Sequence, residues 1–312
     1  MKKLLPLLLL TLVVVVSGCV GQAPATTITC TGAGITDGIT ITDFSFDFNE
    51  IYGGESVGLT LTVENLGGSD GTFESYQLFG PDMVTSGATP MQWEVTSGGL
   101  SDLNLAVDLS APNQDLGIPG GMETVLWTVQ APSGLTVETP FNFNVRETYE
   151  YQTSFSGILT VMSSTYLRTL PPEERKELIQ SGGLTAQCHT GGPIKVEGAA
   201  GTHFVDPASS PKKLRFKVTN MGPGFPFYEV GGDSNYDDIS DTSMYRIHVK
   251  LTTGTVVCAD QVKTLSRGQT GTFDCTFTAP TPSAKTDYTF QVDVEYYYWQ
   301  DSATAIKVLR PL

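Results

Sequence analysis

The chain has 312 residues, of which 40% are hydrophobic and 16% are charged, and its 33 acidic side chains outnumber 18 Lys and Arg to give a formal net charge of −15. At roughly 150 residues per domain, this is enough for about two domains, and the apolar content argues against intrinsic disorder. The acidic balance argues against nucleic acid as a partner, because no basic run is present to displace its counterions. The 33 Gly and 18 Pro argue against a coiled coil or helical bundle.

The first 18 residues have the pattern of a secretory signal peptide. Lys2 and Lys3 precede an apolar run over residues 4–16, which is too short to span a bilayer permanently. The run ends in Val16-Ser17-Gly18-Cys19, which resembles the lipobox of prokaryotic lipoproteins. The resemblance implies cleavage before Cys19, a lipid on its sulfur and a membrane-anchored, extracytoplasmic location, with residues 19–34 as a tether. The alternatives are an ordinary signal peptide with an incidental cysteine and an uncleaved anchor.

The other four cysteines form an even set, which is typical of disulfides in an exported chain. Cys258 and Cys275 lie at similar distances on either side of the Arg267-Gly268 turn. This symmetry predicts a bond between them across neighbouring strands. Cys30 and Cys188 then pair by elimination, or they remain separate thiols.

From residue 35 onward, polar and apolar residues alternate between turns rich in Gly, Pro, Asn and Asp. The alternation predicts half-buried antiparallel strands, among them residues 59–63, 124–129, 141–145 and 158–161. The pattern occurs in two divergent copies: Leu59-x-Leu61-x-Val63-x-Asn65-x-Gly67 matches Leu214-x-Phe216-x-Val218-x-Asn220-x-Gly222, and Tyr149 and Tyr151 match Tyr296 and Tyr298. On the same alignment, Trp127 stands where the second copy has Cys275.

One helix is predicted between the copies, within residues 164–190. Pro171 and Pro172 stand at its start, Glu173 and Glu174 follow at the positive end of the helix dipole, and Gly182 ends it. Its few apolar residues indicate a spacer.

The motif order of a strand, a Val-x-Asn-x-Gly turn, an Ala-Pro pair and a final aromatic strand resembles CARDB-type modules, the cell-adhesion-related domains of bacteria. Together with the lipobox, the chain resembles archaeal or bacterial cell-surface lipoproteins of this type. The resemblance implies an all-β fold of two tandem immunoglobulin-like β-sandwich domains, at residues 35–163 and 191–312, joined by the helix-containing linker. It also implies adhesion or assembly with an envelope or surface protein, and it supplies no catalytic residues.

No catalytic motif is present, and His189, His203 and His248 fall in no metal-binding or nucleophile-activating pattern. We therefore expect no enzymatic activity. Carboxylates for glycoside hydrolysis would have to be brought together by the tertiary fold, and no motif points to them.

Calcium is the one cofactor that the sequence suggests. Asp233, Asn235 and Asp237 have the spacing that arranges oxygen ligands around Ca²⁺, and Asp241 follows them. Against this interpretation, Asp238 stands where an EF-hand loop needs Gly, and Met244 stands where it needs Glu. The alternative is a solvated acidic loop between two strands.

The predicted interaction site is aromatic. Tyr296-Tyr297-Tyr298-Trp299 places aromatic rings on both faces of one strand, and a sandwich core takes only one face. Either Tyr297 and Trp299 or Tyr296 and Tyr298 should therefore face outward or pack against another element. Phe225 and Phe227 lie in a second apolar segment, which is predicted to be a loop. Exposed aromatic residues are enriched at protein interfaces and also stack on sugars, whereas internal packing is the alternative.

These features together predict a membrane-anchored surface lipoprotein that acts as a structural or adhesive protein-interaction module. The alternative function is a lipoprotein that binds a glycan or a solute.

Overall fold

The computed structural model describes residues 36–199, 204–206, 212–229, 243–250, 252 and 255–310. Several predicted features lie outside these residues: the signal peptide, the tether, Cys19, Cys30, His203, and the acidic loop with Asp233, Asn235, Asp237 and Asp241. Neither helix in the described part has the length and apolar character needed to cross a membrane.

The chain is built mainly of β-strands, which confirms the predicted all-β class. In chain order the strands are β1 (Ile39–Phe46), β2 (Glu50–Tyr52), β3 (Ser56–Asn65), β4 (Gly71–Phe79), β5 (Met83–Val84), β6 (Trp93–Ser97), β7 (Ser101–Asp102), β8 (Val107–Leu109), β9 (Met122–Gln130), β10 (Thr139–Met162), β11 (Leu184–His189), β12 (Ile194–Ala199), β13 (Lys212–Asn220), β14 (Phe225–Phe227), β15 (Arg246–Val249), β16 (Val256–Val257), β17 (Gln261–Thr264), β18 (Thr270–Phe277) and β19 (Lys285–Leu309). Two helices, α1 (Ser164–Thr169) and α2 (Pro172–Ser181), lie between β10 and β11.

The described strands form three sheets. The first sheet has the order β1-β3-β9-β6-β5, and the third has the order β12-β13-β18-β16. The central sheet has the order β17-β15-β19-β10-β4-β7, with β11 paired to β10, β2 and β14 paired to β19, and β8 paired to β4.

Two very long strands form the middle of the central sheet. β10 and β19 pair antiparallel without a register shift, from Thr139 opposite Val308 to Met162 opposite Lys285. At about 3.3 Å per residue, this pairing runs for roughly 80 Å. The sequence predicted separate strands at residues 141–145 and 158–161, whereas one continuous strand contains both.

The first and third sheets pack side by side on the same face of the central sheet. Because successive side chains of a strand alternate between faces, the odd-numbered residues of β10 share one face. Phe143 packs on Trp93 of the first sheet, with ring centroids 4.9 Å apart. Phe155, farther along the same face, packs on Phe216 of the third sheet at 5.4 Å. One hydrophobic core therefore runs beneath both smaller sheets.

Each half of the chain completes the packing of the other. The end of β10 carries Phe155 under the third sheet, which is formed by the second half of the chain. The end of β19 returns to the first half, where Val308 is buried and pairs with Ile51 of β2. The predicted boundary between residues 163 and 191 thus separates strands that are hydrogen-bonded to each other.

The two copies are related by an approximate two-fold axis. The matching tyrosines pair crosswise, Tyr149 with Tyr298 and Tyr151 with Tyr296. Since Tyr149 corresponds to Tyr296 in the repeat and Tyr151 to Tyr298, the crossed pairing requires a two-fold rotation that passes through the Glu150–Tyr297 pair.

The Val-x-Asn-x-Gly turn makes the same hydrogen bonds in both copies. In the first, Asn65 Nδ2 donates to the carbonyl of Ser69, Asn65 Oδ1 accepts from the N–H of Gly67, and the N–H of Ser69 donates to the hydroxyl of Tyr151. In the second copy, the corresponding partners are Asn220, Gly224, Gly222 and Tyr298. These bonds satisfy buried polar groups where the two smaller sheets meet.

The predicted helix and one predicted disulfide are present. α2 has Pro172 and two glutamates in its first turn, and it ends at Gly182 in the left-handed conformation with φ of 62°. The sequence analysis missed α1, because its only clear signal is the Ser163 side chain that accepts from the N–H of Tyr166. Cys258 is bonded to Cys275. Cys188 is also disulfide-bonded, and its predicted partner lies outside the described residues.

The Asn-Gly-Tyr network gives a first prediction. A Cβ at Gly67 would overlap the hydroxyl oxygen of Tyr151 and approach the carbonyl of Asp37 to 2.8 Å. Gly67→Ala should therefore lower the free energy of unfolding by about 1–3 kcal/mol, the usual range for overpacking, as measured by urea denaturation. The matched control is Gly67→Ala in a Tyr151→Phe background, where the overlap with oxygen is absent and the cost should be smaller. Equal costs in the two backgrounds would contradict the proposed clash.

The shared strands give a second prediction. Residues 36–163 expressed alone would expose Phe155 and lose the buried Ile306 and Val308 of β19. We expect this fragment to be aggregated or unfolded by size-exclusion chromatography and circular dichroism, and co-expression with residues 164–310 to restore a soluble complex. A fragment that is monomeric and unfolds cooperatively by itself would show that the first half is an independent domain.

Candidate functional site

The aromatic strand divides its residues between two faces of the central sheet. Tyr296 and Tyr298 are fully buried beneath the first and third sheets, so a partner cannot reach them. Tyr297 and Trp299 lie on the opposite face and are half-buried. We call this opposite face of the central sheet the open face. Of the two predicted arrangements, the structure has the one in which Tyr297 and Trp299 face away from the core.

Aromatic side chains form a ladder on the open face. β14 pairs with β19 so that Phe225 lies opposite Trp299 and Phe227 lies opposite Tyr297. The ring centroids are 5.2 Å apart in the first pair and 5.4 Å in the second, where the rings are nearly parallel at 26°. Phe227 is 4% exposed, so Phe225, Tyr297 and Trp299 form the accessible part of the ladder.

A guanidinium group covers Trp299. The Arg146 guanidinium lies 4.0 Å from the centroid of the indole, a distance that gives a cation–π interaction. The same group donates two hydrogen bonds to Asp301, at 2.8 and 3.0 Å. Arg146 and Asp301 face each other across β10 and β19, so the sheet register itself builds this pair.

A charged cluster lies on the other side of the ladder. Glu295 accepts a hydrogen bond from Lys250 Nζ at 2.5 Å and lies 3.4 Å from His248 Nδ1. His248 Nε2 contacts Asp260 at 2.5 Å, and the imidazole stacks on Tyr228 with centroids 4.7 Å apart. The imidazole is therefore held between two carboxylates, with a tyrosine over its face.

Glu150 lies at the centre of the open face, opposite Tyr297 and next to Thr72. Burial raises the pKa of its carboxyl, Glu295 and Asp108 raise it further, and Lys250 opposes them. Carboxylates thus outnumber cations around this point of the sheet.

The open face is suited to contacts with a protein more than to stacking on a sugar. The face of Trp299 is covered by Arg146, and Tyr297 is stacked on Phe227. The Arg146 guanidinium and the carboxylates of Glu150 and Glu295 are partly exposed, whereas the indole N–H of Trp299 is buried without a hydrogen-bond partner among the described residues. Arginine and aromatic residues are the types enriched at protein interfaces.

The sequence analysis predicted Tyr297, Trp299, Phe225 and Phe227 but missed Arg146, Glu150, His248 and Glu295 as their neighbours. The sequence contained part of the information needed to find these neighbours. Glu295, Tyr297 and Trp299 are every second residue of one strand, so they share a face. Arg146 and Glu150 could be added only with the β10–β19 register, which the sequence does not determine.

A buried polar pair lies on the inner face of the same two strands. Glu147 and Gln300 are opposite each other, and Gln300 Nε2 donates to both Glu147 Oε1 and the carbonyl of Ile39. Glu147 Oε2 accepts no hydrogen bond from the described residues. Burial raises the pKa of Glu147 to about 8, although the hydrogen bond from Gln300 lowers it.

In the part of the chain that the structure describes, no group of three or more His, Cys, Asp or Glu residues is arranged to hold a metal ion. The predicted calcium ligands are outside that part. A scan against models of known protein families gives no match to this chain, and neither does a search of curated proteins.

The buried Glu147 gives a third prediction. The unfolded carboxyl loses its proton near the ordinary pKa of 4.5 and the folded one near 8. Between these values the folded state holds a proton that the unfolded state lacks, so the free energy of unfolding falls as the pH rises. Glu147→Gln should flatten this decline and raise the free energy of unfolding at pH 8 by a few kcal/mol, on the order of 3–5.

Chemical denaturation at several pH values between 4.5 and 9 measures this effect. Glu173→Gln, on the exposed surface of α2, is the control and should leave the pH dependence unchanged. If Glu147→Gln has the same pH dependence as the unmodified chain, another group causes the decline.

Proposed function

We propose that this chain is a membrane-anchored lipoprotein of the cell surface, which acts as a structural or adhesive module and binds another protein. The proposal includes the lipid on Cys19, two tandem immunoglobulin-like sandwiches and a non-catalytic role. The binding surface is the accessible aromatic and charged part of the open face.

The observation that carries the proposal is the unbroken pairing of β10 with β19. It joins both halves of the chain through 24 consecutive residue pairs and a common core. A protein built this way holds its surfaces in a fixed relative position. Such rigidity suits a module that presents a binding surface better than one that opens and closes around a small molecule.

The chemistry of the open face supports a protein partner. Tyr297, Trp299 and Phe225 provide large apolar contacts that are already ordered by stacking, so little side-chain entropy remains to be lost on binding. Arg146 and Glu295 provide charged groups at the border. The alternative function, a glycan- or solute-binding lipoprotein, has less support because the ring faces that a sugar would need are covered.

Photo-crosslinking on intact cells tests the proposal. A photoreactive amino acid replaces Tyr228, which borders the open face, and the neighbours captured after illumination are identified by mass spectrometry. We expect reproducible crosslinks to one surface or envelope protein, and loss of that capture when Trp299→Ala and Phe225→Ala are combined.

The matched control places the photoreactive group at Phe48, which is 64% exposed and adjoins Asn49, whose carbonyl bonds to Lys307, eight residues along β19 from Trp299. Capture of the same neighbours from both positions would indicate proximity without a binding surface, and capture from Phe48 alone would refute the assignment of the open face. Cys19→Ser tests the anchor separately, because it should move the protein from the membrane fraction to the soluble fraction.

A further inference from the structure

The negative charge is concentrated in one half of the chain. Residues 36–145 contain fifteen Asp and Glu and no Lys, Arg or His. Sixteen of the 18 basic residues lie from Arg146 onward. All charged side chains of the first sheet and of the strands β4, β7 and β8 are therefore negative.

Two of the cations that the later strands bring back to this half are already paired with carboxylates. Arg146 is bound to Asp301, and Lys307 lies 2.6 Å from Glu138. Both are on the open face. Even-numbered residues of β10 and odd-numbered residues of β19, such as Trp299, point to that face, and Arg146 and Lys307 follow this pattern. They do not neutralise the opposite side of the molecule.

On that opposite side, β9 has a free edge. β3 pairs with β9 along its whole length, but β6 pairs only with Thr128, Val129 and Gln130. Among the described residues, no strand pairs with the second edge of β9 from Met122 to Leu126, although Gly98 covers the carbonyl of Leu126. The N–H of Asn65 bonds to the carbonyl of Gly121, so the alternation of an antiparallel ladder directs the N–H and C=O of Met122, Thr124 and Leu126 toward this edge.

The free edge is also apolar. Met122 is 61% exposed and Leu126 is 63% exposed. The turn that leads into β9 adds Leu116 and Ile118, so this short segment holds four of the eleven large hydrophobic side chains that are exposed in the described residues. Proteins usually protect such an edge with Lys or Pro, and β9 has neither at these positions.

An acidic groove lies at the beginning of the edge. It has a volume of about 540 Å³ and is lined by Asp70 and Asp108 together with Ser110 and Met122. Asp70 Oδ1 accepts from the N–H of Ala111 at 2.7 Å, and Asp108 Oδ1 accepts from the hydroxyl of Thr72 at 2.9 Å. Asp70 is therefore fixed at the end of the edge, and Asp108 is fixed on the side of the groove that borders the open face.

We propose that the free edge of β9 binds an extended segment of a partner protein by strand addition, and that this segment has Lys or Arg alternating with apolar residues. Main-chain hydrogen bonds to Met122 and Thr124 would hold the segment, as in other cases of strand addition. The inference rests on the proposed interaction role and deepens it, because it adds a second surface and defines the chemistry of its partner.

The alternation of basic and apolar residues in the proposed segment follows from the different surroundings of the two faces of β9. Met122 and Leu126 point outward, so the outward side chains of an added strand would be apolar. Odd-numbered residues point toward the central sheet, as Trp127 does when it packs on Tyr76. Side chains of the added strand on that side meet Glu123 and the groove, where a basic group is complementary. A second copy of this chain would bring another acidic edge against this one, which the charge disfavours.

The probe is a fluorescein-labelled peptide of sequence Lys-Val-Lys-Thr-Lys-Val-Lys-Thr-Lys, titrated with the full chain and followed by fluorescence anisotropy. We expect saturable binding that weakens as salt is added. Two control peptides carry Glu in place of Lys, or N-methyl groups at alternate backbone amides, and each should bind at least about tenfold more weakly.

Variants of the chain test the site itself. Thr124→Pro removes one edge N–H without touching the ladder to β3 and should weaken the lysine peptide at least about fivefold, whereas Thr124→Ala should stay within about twofold. Asp70→Asn combined with Asp108→Asn keeps both acceptor atoms and should reduce the affinity and its salt dependence. Thermal unfolding shows whether each variant is folded. If a variant does not fold, the control peptides still test the proposal, because they are titrated with the unmodified chain.

The inference is wrong if the N-methylated peptide binds as tightly as its parent, if folded Thr124→Pro binds normally, or if the lysine peptide does not bind at about 1 mM. Dimerisation that Thr124→Pro abolishes would assign the edge to a second copy and would also overturn it. Crosslinks through Tyr228 without peptide binding would refute only this inference, whereas peptide binding without such crosslinks would refute only the assignment of the open face.

Discussion

The register between β10 and β19 determines the rest of the structure. A slip of one residue would turn every side chain of one strand to the other face. Tyr296 and Tyr298 would then leave the core, and Trp299 would be forced into it. The same register sets Arg146 opposite Asp301, Glu147 opposite Gln300 and Glu150 opposite Tyr297. The interior and the open face are consequences of one pairing.

The interior is nearly symmetric, but the exterior is not. Asn65 and Asn220 hold equivalent turns against equivalent tyrosines, so the centre keeps the two-fold arrangement. On the open face, the axis through Glu150 and Tyr297 relates the Arg146–Asp301 pair to Asp293 and Ser154, which form no ion pair with each other, and Lys250 bonds to the backbone of Asp293. The two halves thus share the packing at the centre and differ in surface chemistry.

The sequence allowed much of this architecture to be predicted. Alternation indicated the strands, Pro172 and Gly182 marked the ends of the helix, and the symmetric positions of Cys258 and Cys275 identified their bond. The matching of Trp127 with Cys275 has a physical counterpart, because both side chains are buried in corresponding strands, β9 and β18.

The length of the shared strands could not be predicted. Gly157 interrupts the alternation and resembles a break, yet β10 continues through it. Glycine is needed at this position because a Cβ would lie 2.7 Å from the ring of Phe290. The two faces of residues 296–299 are both aromatic, so periodicity could not assign the inner one. The absence of Lys, Arg and His between Lys3 and Arg146 is visible in the sequence. It points to a binding surface only once the structure shows that one edge of β9 is unpaired.

The position of Gly38, just before β1, has a mechanical consequence. Gly38 lies beside Tyr149 and Pro193, near the two-fold axis and far from either end of the long strands. A force applied to the chain at Gly38 would therefore act near the middle of the β10–β19 pair and not at either of its ends.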